Sequence, residues 1–95
     1  MMDLKVPLNI NIDQRTLTIK KIVANYAIKE LGVVNIMPED IYIVWFCKTL
    51  NHWKALASSA SLGDYYFEIT HNGQRDETYL DVYVKTENVC IPGED

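Results

Sequence analysis

The sequence predicts an α+β domain: one N-terminal amphipathic helix packed on a four-stranded antiparallel meander, in two layers. Three observations predict it. A single apolar stripe at helical spacing runs through residues 13–31. Segments of period-two alternation follow one another through residues 41–86. The connections between them are short and turn-like, which suits antiparallel hairpins and is too short for parallel crossovers.

Residues 1–12 read as an extended lead-in, because Leu8, Ile10 and Ile12 alternate with Asn9 and Asn11. Asp13 is a good N-cap type for the helix that follows. Ile19, Ile22, Val23, Tyr26 and Ala27 fall on one face of a 3.6-residue period, and Arg15, Lys20, Lys21 and Lys29 lie mostly off it. Gly32 stands where a left-handed residue ends a helix. Pro38-Glu39-Asp40 is a break. Residues 41–49 are β-branched and aromatic, with Ile41, Ile43, Trp45, Cys47 and Thr49 on one face and Tyr42, Val44, Phe46 and Lys48 on the other. Apolar residues on both faces predict a central strand covered on both sides over that stretch. A turn at Asn51 leads to a second strand, with Trp53, Ala55 and Ala57 inward and Leu56 anomalously outward. Residues 58–63 form a loop. The third strand, residues 64–71, sets Tyr65, Phe67 and Ile69 against Tyr66, Glu68 and Thr70. Asn72-Gly73 is a strong hairpin signal. The fourth strand, residues 78–85, alternates Leu80, Val82 and Val84 with Tyr79, Asp81 and Tyr83. Residues 87–95 form a tail.

The chain has 95 residues, enough for one domain, since domains run from about 50 to 250. Apolar residues at 48% and charged residues at 23% exclude a disordered chain. The longest apolar run, residues 41–47, is far short of the ~20 residues of a spanning helix, so no membrane segment is expected. The first residues lack the basic-then-apolar pattern of a signal peptide. Cytoplasmic location is expected, with Cys47 and Cys90 as reduced thiols and Cys47 a small buried hydrophobe. Net charge is −4, and residues 63–95 carry eight acidic side chains against Arg75 and Lys85. That balance disfavours nucleic acid and suits a basic protein partner. The basic helix face of Arg15, Lys20, Lys21 and Lys29 keeps a nucleic-acid-associated role as the alternative.

One helix covers one face of such a sheet. The other face carries an aromatic load: Tyr42, Phe46, Tyr66, Tyr79 and Tyr83, with Glu68 and Asp81 among them. Exposed aromatics mark interfaces. The occupant is open between a second copy stacked sheet on sheet, a foreign protein, and the chain's own termini. No catalytic set emerges. Cys47, His52, His71 and Cys90 lack the short spacings of a zinc site, so neither metal nor other cofactor is expected. Ser58, Ser59 and Ser61 lack a nucleophile-elbow context. Glu68 and Asp81 are paired carboxylates that, on a shared face, could hold a metal or share a proton. Two solvated charges are the simpler account. The chain is therefore expected not to be an enzyme.

The segment Asp40-Ile41-Tyr42-Ile43-Val44-Trp45-Phe46-Cys47-Lys48-Thr49-Leu50-Asn51-His52-Trp53-Lys54-Ala55-Leu56 is distinctive. It is followed by residues 65–73 (YYFEITHNG), 77–85 (ETYLDVYVK) and 87–92 (ENVCIP). Together these resemble a family of small uncharacterised proteins encoded by phages and prophages of Gram-positive bacteria, over about residues 40–92. The family has no assigned activity, so the resemblance supplies no catalytic residues. It implies an accessory protein in a bacterial host cytoplasm, binding a host or phage protein. Inhibition of a defence system such as CRISPR is one role of that kind.

Overall fold

The computed structural model describes residues 7–93, with side chains from residue 14 onward. Helix α1 (Pro7–Glu30) is followed by a 3-10 turn (Pro38–Asp40), strands β1 (Tyr42–Thr49) and β2 (His52–Ser58), a second 3-10 turn (Ala60–Leu62), and strands β3 (Tyr65–Asn72) and β4 (Glu77–Val84). The strands form one antiparallel sheet in the order β1-β2-β3-β4. This is the expected α+β meander.

The helix begins earlier than the sequence suggests. Residues 7–12 are helical rather than extended, and Asp13 lies inside α1 instead of capping it. Residues 1–6 of the expected lead-in lie outside the described residues. Leu8 and Ile12 are four apart as well as two-periodic, so their spacing serves either structure, and Pro7 suits a first helical turn. At the other end Gly32 holds φ +70, and the Leu31 and Val33 amides both donate to the Ala27 carbonyl at 3.1 Å. That left-handed glycine turns the chain toward Ile36 and Ile41, which are buried.

The core lies between α1 and the sheet. Ile19, Val23, Ala24 and Ala27 meet Ala55, Ala57, Phe67 and Ile69, all buried. Tyr26 sets its ring edge toward Phe67, centroids 6.1 Å apart. The helix seats over β2, where the alanines leave room for it.

Two expectations about β1 are corrected. It is an edge strand, not a central one. Its alternation also breaks: Ile43 pairs with Ala57 and Trp45 with Leu56, leaving Val44 as the extra residue of a β-bulge. Beyond the bulge every side chain changes face. Phe46, expected outside, packs on the core against Trp53, ring centroids 5.6 Å apart. Trp45 and Cys47, expected inside, are exposed, so Cys47 is not a buried thiol.

The two hairpin turns at one end of the sheet are locked together. Asn72 Oδ1 accepts the amides of Gln74 (3.0 Å) and Arg75 (3.3 Å), closing a turn over residues 73–76 that ends at Asp76, φ +53. The Gly73 amide donates to Nδ1 of His52 at 3.2 Å. A Cβ on Gly73 would lie 1.9 Å from the Asn51 carbonyl oxygen, so only glycine fits. Gly73→Ala is expected to lower stability by about 1–3 kcal/mol through forced separation of the two turns. Thermal or urea unfolding measures it, and an unchanged midpoint contradicts this packing.

Candidate interaction face

The sheet face opposite α1 is built in rows by the strand register. Trp45, Leu56, Glu68 and Asp81 stand side by side across all four strands. Cys47, Lys54, Thr70 and Tyr79 form the next row toward the turns. Tyr66 and Tyr83 pair on the other side of the Glu68–Asp81 rung. Among the described residues no element covers these rows. Trp45 is 41% exposed, Tyr83 51% and Tyr79 53%. A face of this size with half-exposed aromatics is unusual for a self-contained monomer.

Glu68 organises the face. Its Oε1 accepts the Tyr83 hydroxyl at 3.0 Å, and its Oε2 lies 3.2 Å from Lys54 Nζ. The Tyr83 hydrogen bond, then Lys54, hold the Glu68 carboxyl below its ordinary value of 4.5. The same bond, from the other side, pushes the Tyr83 hydroxyl above its ordinary 10.0. Tyr79 donates to Oε1 of Glu77 and is likewise raised. Each contact spans one strand step or a diagonal, so side chains that alternation puts on one face are tied to one another.

Of the seven residues expected on this face, the structure brings Tyr66, Glu68, Tyr79, Asp81 and Tyr83 together on β3 and β4. Tyr42 is exposed and pairs with Ser58 at the start of β1, beyond the Trp45 row. Phe46 is not on the face. Trp45 and Leu56 are, and no two-residue count through β1 could have placed the tryptophan there. Leu56, anomalous as an outward residue in the sequence, lies half-buried between Trp45 and Glu68.

Catalytic alternatives find little geometry. Glu68 and Asp81 are directly paired and share the face. Both oxygens of Glu68 are engaged by the Tyr83 hydroxyl and Lys54 rather than by Asp81. Cys47, His52 and His71 line a shallow depression of 310 Å³ with Thr49, Lys54 and Thr70. There His52 Nδ1 is taken by the Gly73 amide. The His71 ring is stacked on Trp53 at 5.3 Å and bonded to the Thr78 hydroxyl at 2.8 Å. Among the described residues no group of three or more His, Cys, Asp and Glu converges. Among the described residues no helix is long and apolar enough to cross a membrane.

The lowered Glu68 pKa fixes the sign of a pH dependence. A depressed carboxyl contributes stability in full above 4.5, and that contribution is lost as pH falls through the lower folded-state value. The stability gap between the wild type and Glu68→Gln should be complete at neutral pH and close on acidification below 4.5. Melting temperatures of both proteins across pH 7 to roughly 3 check this. A gap independent of pH would mean that Glu68 is not held by Tyr83 and Lys54.

No match to a curated protein or to a solved structure was found. A family of unknown function, DUF6275, matches residues 16–93, a span that takes in the packed part of α1, all four strands and the segment after β4. The chain thus belongs to the DUF6275 family.

Proposed function

We propose that the chain is a non-enzymatic protein-binding module that acts through the uncovered sheet face. The observation that carries this is the set of half-exposed aromatics, Trp45, Tyr79 and Tyr83, spread over three rows of a sheet face with no element over it among the described residues. Aromatic anchors around a fixed polar centre are what protein interfaces concentrate. The partner is a protein with a basic, apolar surface, because Glu68, Glu77 and Asp81 outnumber Lys54 and Lys85 on this face. The resemblance of residues 40–92 to phage and prophage proteins supports an accessory role in a bacterial cytoplasm, with a host or phage protein as target. A defence-system component such as a CRISPR effector fits that role.

The test has two stages. Affinity capture from a host lysate, with mass spectrometry, supplies a partner. Calorimetric titration then compares the wild type with Trp45→Ala and Tyr79→Ala, both far from the core. Each variant should weaken binding by about 30-fold or more, the size of a hot-spot loss of about 2 kcal/mol, with its melting temperature held within a few degrees. Unchanged affinity in both variants would refute the face as the binding surface.

A further inference from the structure

The sheet has two edges, and they differ. On β1 the bulge at Val44 interrupts the ladder, a feature that discourages pairing with another strand. On β4 the register with β3 is unbroken from Glu77 to Val84, with no proline and no bulge. Among the described residues nothing pairs with the outer edge of β4.

The hydrogen bonds show which groups that edge presents. The Lys85 amide donates to the Asp64 carbonyl at 2.8 Å, so Lys85 turns its backbone toward β3. Antiparallel ladders alternate, so Tyr83, Asp81, Tyr79 and Glu77 do the same. Thr78, Leu80, Val82 and Val84 therefore turn their amides and carbonyls outward. These are also the residues whose side chains lie on the helix side, since Leu80 pairs with Ile69 and Val82 with Phe67.

We propose that β4 pairs with β4 of a second copy, antiparallel about a two-fold axis at Asp81, to give a continuous eight-stranded sheet. The outward-turned groups must meet outward-turned groups, which pairs Leu80 with Val82 and Thr78 with Val84. Both helices then lie on one side of the sheet, and the half-buried Leu80 and Val82 cover each other's edge. On the other face Tyr79 stands across from Tyr83, and Glu77 across from Lys85, twice each by symmetry. Aromatic and opposite-charge cross-strand pairs both stabilise. The one mismatch is Asp81 against Asp81 at the axis. Sliding by two residues would part the aspartates, but it would shorten the ladder and lose the Glu77–Lys85 match. This edge is a different surface from the open face, and Trp45, on the far strand, belongs to that face alone.

Sedimentation equilibrium over a wide concentration range tests the pairing. The wild type should show a monomer–dimer equilibrium. Val84→Pro removes an outward amide from an exposed edge position, which a folded edge strand tolerates, and should abolish the dimer. Asp81→Asn should tighten it about two- to five-fold by relieving the like-charge contact. Glu77→Lys should weaken it roughly five-fold or more, and adding Lys85→Glu should restore it. Trp45→Ala should leave it unchanged. A monomer at every concentration, a dimer that survives Val84→Pro, or a dimer indifferent to both Asp81→Asn and the charge swap overturns the proposal. Loss of partner binding in Trp45→Ala with the dimer intact separates failure of one surface from failure of the other.

Discussion

Helix α1 can lie close on the sheet only because β2 presents alanines beneath it. Ala55 and Ala57 have no exposed surface, and neither do Ile19, Val23 and Ala27 above them. Larger β2 side chains would lift the helix off Phe67 and Ile69 on the neighbouring strand, which supply the bulk that the alanines lack. The core is thus shaped by a small–large alternation between adjacent strands, and interior packing is dense enough for such differences to matter. The arrangement uses up the helix's single apolar stripe. The opposite face of the sheet therefore receives no cover from α1, and its chemistry is free to differ from that of a core.

The bulge at Val44 decides what that uncovered face contains. The apolar run of residues 41–47 is too rich for an edge strand with one buried side. The extra residue lets both Ile43 and Phe46 serve the core, three positions apart, where strict alternation would have admitted only one of them. The consequence falls on Trp45, which moves into a row with Leu56 and Glu68. An indole has a large apolar surface and a single polar group, so leaving it half-exposed forgoes much of its burial energy. Placing it instead of Phe46 on the surface makes the face more adhesive than the sequence alternation implied.

Most of the fold was legible in the sequence because its signals were local. The stripe from Ile19 to Ala27, the glycine at residue 32 and the alternation in β3 and β4 each depend on neighbours a few residues apart. The candidate face was legible on β3 and β4 for the same reason, since their register is unbroken. It was misjudged on β1. A bulge is a relation between two strands, visible only once Ala57 and Leu56 are known to oppose Ile43 and Trp45. The seven-residue apolar run carries no mark of where the phase changes. The start of α1 was obscured differently, because Leu8 and Ile12 satisfy a strand period and a helix period at once. The role of Glu68 was also out of reach, since it depends on diagonal contacts to Lys54 and Tyr83 from two different strands.

Among the described residues the sheet face, the β4 edge and residues 85–93, where Val89 and Ile91 are exposed, all present open surface. The first two make different demands on a partner. An edge offers backbone groups that any strand can meet, so its selectivity has to come from cross-strand pairs such as Glu77 with Lys85. A face offers side chains, and its selectivity comes from shape and charge. Both oxygens of Glu68 are already engaged, so it serves as internal scaffolding, and Asp81 is the other carboxylate of that row, on the edge strand β4. Asp81 also stands at the proposed two-fold axis. The like charges meeting at that axis are the one cost of the proposed pairing, so its selectivity has to rest on the Tyr79–Tyr83 and Glu77–Lys85 pairs that flank them.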